Sequence, residues 1–306
     1  MVFRQPVILA LALCLLAGET TSRRRLLDGT LHHLRSGSEK EWSEFPESHA
    51  GNHLALNFIA EANRKEQTLR LRQRDVKENW GVFLNDRKLG SLFQDQNDLI
   101  SYWPVAPETL VSGNNTLRIT PSGTGADDIM VGDIWLDERT RHQILTESSV
   151  TVQVRAVGRP VPCRLTIVDA NGSLAPLGAE SDRHLAVSTG MIYTGDGTAK
   201  FGIAAGEYTL YAGRGFEYSV AQTHLSVERG ASVKARLQIR REVPAPGYVS
   251  CDTHTHTFTY SRHGDASVMD RVLTIAGEGI ELAIATDHNI LTDYDPVARR
   301  AGVRRY

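Results

Sequence analysis

Cysteine is scarce, with three in 306 residues. Cys14 lies in an apolar stretch near the start, and Cys163 and Cys251 fall in segments of different character. A disulfide framework is therefore excluded as the basis of the fold. Charge of one sign is lacking as well. Thirty-four Lys and Arg against 36 Asp and Glu leave a formal net charge of −2, with the two signs interspersed. This argues against nucleic acid as a partner. Long apolar runs are also missing. The run from Val7 to Ala17 falls short of the roughly 20 residues a membrane span requires. With Arg4 ahead of it, that run reads as an export signal over residues 1–22. The expectation is a secreted or periplasmic protein with no membrane anchor once the signal is removed. Arg23, Arg24 and Arg25 then read as a solvated processing flank.

What is present is alternation. Residues 23–50 are polar and read as a linker. From residue 51 apolar side chains recur at period two: Leu54, Leu56 and Phe58, then Leu69 and Leu71. Further strands are expected at Trp80–Asn85, Asn115–Thr120 and Asp128–Leu136, with turn residues between them. Residues 51–146 are accordingly read as a β-sandwich, and residues 147–242 as a second one, from Val150, Val152 and Val154 and from Cys163, Leu165 and Ile167. The first resembles a galactose-binding-like jelly roll and the second an immunoglobulin-like domain. Trp80, Tyr102, Trp103 and Trp135 could form a sugar-stacking face on the first, although core packing is the commoner fate of such side chains. The second reads as a spacer. Val243 to Gly247 forms a short Pro-rich linker into the final segment.

The chemistry concentrates after residue 247. His254 and His256 follow one apolar run, and His288 follows another, Ile280 to Ala285. Between them Ser267 and Asp270 have capping-box spacing, and Val268, Val272 and Ile275 recur at helical spacing. Gly279 marks the helix end. Strand, helix and strand make a βαβ unit with parallel strands. Both histidine clusters then lie at the same carboxyl-end rim, where parallel α/β folds collect functional groups. A His-x-His pair can chelate, and His263 or Asp265 on the following loop could add donors. The reading is a divalent-metal site; imidazole donors suit zinc, manganese or iron without choosing among them. Cys251 reads as a buried strand residue, with a ligand or nucleophile role as the alternative.

The stretches Asp252-Thr-His-Thr-His256, Ser261-Arg-His263-Gly-Asp265 and Thr286-Asp-His288-Asn289 resemble the polymerase and histidinol phosphatase (PHP) superfamily, and within it the CehA/McbA branch of metallohydrolases. The resemblance covers residues 247–306 and implies a distorted βα barrel with divalent metals at its carboxyl rim. It implies His254, His256, His263 and His288 as metal ligands, and Asp252 and Asp287 as partners that orient ligating imidazoles, with Asp265 competing with His263. The family's later motifs have no counterpart here, so the PHP domain is expected to be incomplete and the chain weakly active or inactive alone. The full expectation is a multidomain chain: two all-β sandwich modules, jelly-roll-like then immunoglobulin-like, followed by a partial α/β PHP-type barrel. Its implied activity is exported, metal-dependent hydrolysis of a small-molecule ester, amide or carbamate, or of a phosphoester. The alternative is a non-enzymatic exported protein that binds a glycan or protein through its sandwiches and carries the metal segment as a remnant. In either reading the first sandwich could hold a glycan.

Overall fold

A computed structural model describes residues 24–304, so the export signal expected over residues 1–22 lies outside the described residues. The chain is mostly β. Its first module contains β1 (Arg24–Arg35), β2 (Leu54–Ala60), β3 (Gln67–Arg74), β4 (Trp80–Leu84), β5 (Arg87–Ser91), β6 (Leu99–Val105), β7 (Gly113–Pro121) and β8 (Asp128–Asp137). They form two antiparallel sheets, ordered β1-β8-β3-β6 and β2-β7-β4-β5. Leu69, Leu71, Ile129 and Val131 from the first sheet meet Val82, Leu117 and Ile119 from the second in one core, all fully buried. Each such side chain contributes about 1.5–3 kcal/mol.

The linker expected over residues 23–50 is corrected in its first part. β1 pairs along β8 and buries Leu34, His33 and Arg35. Two of those inward positions are polar and find a common partner in Asp128: His33 Nε2 at 2.6 Å and Arg35 Nε at 2.7 Å, both on Oδ1. Burial alone would raise the Asp128 pKa, but bonds from Glu41 N–H, Arg35 and His33 hold it below the usual carboxylate range. The strand escaped a hydropathy reading because a buried ion pair, not a greasy stripe, faces the core. Arg24 likewise is no free flank: its guanidinium lies 4.2 Å over the Trp135 ring.

Helix α1 (Arg141–Leu145), capped by Thr140 and Gln143, leads into the second module. Its strands are β9 (Ser148–Ala156), β10 (Arg159–Pro160), β11 (Cys163–Asp169), β12 (Leu185–Ser188), β13 (Met191–Thr194), β14 (Thr198–Ile203), β15 (Gly206–Gly213), β16 (Ala221–Val227) and β17 (Ser232–Ile239). One sheet runs β12-β13-β11-β15-β16. In the other, β9 pairs with β10, β14 and, in parallel, β17. Val150, Val152 and Val154 meet Leu165, Ile167 and Leu210 between them. The expected alternation in β9 and β11 is the buried stripe observed.

The third module comprises β18 (Cys251–Thr255), α2 (Phe258–Ser261), α3 (Val268–Gly277), β19 (Leu282–Ala285) and α4 (Asp295–Arg300). β18 and β19 are parallel. The Ser267–Asp270 capping box forms in both directions, and Gly279 takes φ +67° just beyond the helix. Two expectations of burial fail here. Cys251 is exposed, and Leu282 and Ile284 of the Ile280–Ala285 run are 47% and 41% exposed. Ala283 and Ala285, which alternate with them, are half-buried, and Ala285 packs against the core that α3 shares.

That helix is in turn docked on the second module. Val272, Leu273 and Ala276 form a core with Ala186 of β12, Val297 and Val303, and Tyr193 of β13 packs against it. Glu278 Oε1 accepts from Arg164 Nη1 and from the Tyr193 hydroxyl, each at 2.8 Å. Buried Arg214 donates through Nη1 to the carbonyls of Pro162 and Ala276. The segment read as a spacer thus supplies the third module's missing wall.

Candidate metal centre

The parallel pairing of β18 and β19 decides where the histidines go. Asp252 pairs with Ala283 and Thr255 with Ala285, so β18 carries one extra residue in a bulge between them. Such a bulge turns side chains away from strict alternation. Thr255 is buried, while His254 is exposed and His256 partly so. His288 follows β19 at the same rim. His263 arrives from the loop after α2, between Arg262 at φ +61° and Gly264 at φ +81°; these two left-handed residues reverse the chain.

All four histidines converge. The His256 ring stacks on His288, 8° from parallel, with centroids 4.6 Å apart. His263 lies 4.9 Å from His256 and 4.7 Å from His288 by centroid. One ligand atom each from His256, His263 and His288 falls within 4.8 Å of the others. His254 stands beside this triad, its Nε2 2.8 Å from the Nε2 of His256.

The electrostatics favour the ligating form of His256. Its pKa is lowered by desolvation and then by repulsion from His254, His288 and His263, which keeps the imidazole neutral. Its Nδ1 is sealed from solvent and has no hydrogen-bond partner. A buried, unsatisfied nitrogen among crowded imidazoles fits a site completed by a cation.

The aspartates behave differently from the family expectation. Asp287 is buried and receives no bond from an imidazole. Its Oδ1 accepts from Thr257 N–H at 2.8 Å, from the Thr257 hydroxyl at 3.0 Å and from the Ser261 hydroxyl at 2.8 Å. Its Oδ2 accepts from the Tyr294 hydroxyl at 2.7 Å and from Thr292 at 3.1 Å. Burial would raise its pKa, yet the bonds from Tyr294, Ser261 and Thr257 hold it well below the carboxylate range. The Ser261 hydroxyl also accepts from His288 N–H. Asp287 therefore ties the segment after His256, the helix before His263 and the backbone of His288 into one hub. Asp252 accepts from His254 N–H, and both Asp252 and Asp265 line a cleft against α3. Neither joins the imidazole group.

Thr257, Ser261 and Tyr294 were not legible as functional residues. Hydroxyls carry no sequence signature until a carboxylate is seen to gather them. Arg271, whose Nε donates to the His256 carbonyl at 3.1 Å, was not legible either, because a contact to a backbone carbonyl leaves no mark in the sequence.

No family model matches this chain, nor does any curated protein. Among solved structures it is paired with the β-D-glucuronidase of Dictyoglomus thermophilum at 9% identity and TM-score 0.28, over 89% of this chain and 60% of that one. Faecalibacterium prausnitzii β-glucuronidase follows at 13% identity and TM-score 0.26, over 87% and 60%. The dimeric latent PorU of Porphyromonas gingivalis gives 13% identity and TM-score 0.24, over 86% and 26%. The chain thus spans less than two thirds of the length of each. Overlaps this loose assign neither fold nor activity.

Proposed function

We propose that this chain carries a metal-dependent hydrolytic centre of the PHP type, in an exported protein built from a jelly-roll-like module, an immunoglobulin-like module and the opening βα unit of a PHP barrel. The observation that carries the reading is the convergence of His256, His263 and His288, from three separate segments, at the carboxyl rim of parallel strands. These three would hold a divalent ion, with His254 beside them. When bound, a zinc, manganese or iron ion lowers the pKa of a water molecule and polarises a carbonyl or phosphoryl oxygen. His256 contributes a neutral imidazole. Asp287 holds the two flanking segments in register, and Arg271 fixes the His256 carbonyl.

The substrate class is an ester, amide, carbamate or phosphoester. Hydrolysis is expected to be slow, because among the described residues no carboxylate joins the group of His256, His263 and His288 to bridge a second ion or accept a proton. Of the four aromatics expected to face a glycan, Trp80 and Trp103 are buried, which leaves Tyr102 and Trp135. The test is elemental analysis of the whole chain, purified without chelator, beside the double variant His256→Ala, His288→Ala. About one ion per chain is expected, with loss in the variant. A folded double variant of unchanged metal content would overturn the reading.

A further inference from the structure

A cavity borders α3 beside the imidazole cluster. Where α3 docks on β12 and β13, a cleft of about 340 Å³ remains between them. That volume sits at the small end of the roughly 300–1,000 Å³ of ligand pockets, and suits a molecule of amino-acid size. Its walls are partly apolar: Met191 and the Tyr193 ring on one side, Ile275 on the other. Both signs of charge line it as well, Arg271 against Asp252 and Asp265.

What these charges already do decides what remains. Glu278, also in the cleft, is satisfied by Arg164 and Tyr193. Asp270 is engaged in capping α3 through Ser267. Asp252 uses one oxygen on His254 N–H, and Arg271 uses only Nε, on the His256 carbonyl. Asp265 has no partner among the described residues, and no ion pair joins it or Asp252 to Arg271. Opposite charges that share a cavity without pairing are available to a ligand that carries both.

We propose that this cleft binds a small zwitterion of the α-amino-acid type with an apolar side chain. The ligand carboxylate meets the free guanidinium nitrogens of Arg271. Its ammonium group meets Asp265 and the second oxygen of Asp252. Its side chain rests on Met191, Ile275 and the ring of Tyr193. None of the four histidines lines the cleft, although Arg271 and Asp252 are bonded to the backbone of His256 and His254; the ligand itself is held without a metal.

Isothermal titration of the full chain in EDTA tests this with three probes: L-leucine, 3-methylbutylamine and 4-methylpentanoate. Leucine should bind at one equivalent and at least about tenfold more tightly than either singly charged analogue, as loss of a charge-assisted contact implies. Arg271→Gln should weaken leucine by about tenfold and leave the amine nearly unchanged. Asp265→Asn, on an exposed loop where folding is not at stake, should weaken both. His288→Ala should leave leucine binding intact. Absence of saturable leucine binding, equal affinity for leucine and the amine, or loss of leucine binding in His288→Ala would each overturn the proposal.

Discussion

The Nε2 atoms of His254 and His256 face each other at 2.8 Å. Two imidazolium rings could not sit so close, so at least one ring is neutral. His256 is the one whose pKa is depressed, first by desolvation and then by its three imidazole neighbours. A histidine with a lowered folded pKa takes up a proton more readily when unfolded. Its contribution to stability is present above the unfolded value near 6.5 and is lost as pH falls. In the metal-free protein, His256 should titrate below 6.5 by NMR, and the thermal midpoint should rise with pH through that range. A titration at or above 6.5 would remove the crowding argument.

Asp287 should govern the acid limb of stability. Its folded pKa is depressed by the bonds from Tyr294, Ser261 and Thr257. The stability it contributes is therefore present above the unfolded pKa near 4 and lost as pH falls below it. Asp287→Ala should destabilise by about 2–3 kcal/mol, the range for unpaired buried donors to a charged acceptor. Asp287→Asn should cost less and flatten the dependence between about pH 4 and 2. Denaturant midpoints at several pH values read both; an unchanged acid limb in the Asn variant would refute the hub.

Docking of α3 should depend on Gly215. This residue takes φ +61°, and a Cβ there would lie 2.0 Å from the Glu278 carbonyl oxygen. The left-handed backbone alone costs a β-carbon about 1–2 kcal/mol, and the clash with a backbone atom adds to it. Gly215→Ala should free the third module from the second. Faster proteolysis within residues 243–247 is the expected sign; unchanged cleavage would mean that the contact is adaptable.

The two kinds of tryptophan in the first module should separate cleanly. Trp80 is fully buried and donates through Nε1 to Asp127 at 2.8 Å. Trp80→Ala should cost about 3–5 kcal/mol. Trp135 is half-exposed beneath Arg24, and Trp135→Ala should cost well under half as much. If a glycan array detects binding, Trp135→Ala should abolish it. Retention of binding in that variant would remove Trp135 from any sugar contact.

Parts of this structure were legible because their causes are local. The alternation in β9 and β11 announced buried stripes, and Ser267, Asp270 and Gly279 bounded α3 by bonds within a few residues. β1 was not legible, because its inward face is polar and rests on Asp128, which is remote in sequence. Nor was the exposure of Cys251, Leu282 and Ile284. An apolar run states what a strand prefers, and only the presence of a covering surface states whether the preference is met.

From sequence alone, the order strand, helix, strand placed His254, His256 and His288 at one rim, because parallel strands joined by a right-handed crossover share their carboxyl end. The resemblance already implied His263, with Asp265 competing; tertiary structure brought His263 to the others and turned Asp252 and Asp265 aside into a cleft. It alone turned Asp287 into a hub of hydroxyls. Those outcomes depend on a one-residue bulge in β18, on two left-handed turns around His263 and on the wall supplied by β12 and β13. The turns are local, the first closed by Arg262 N–H on the Phe258 carbonyl, but the bulge and the wall are not encoded by spacing, because each is fixed by contacts between segments that are distant along the chain.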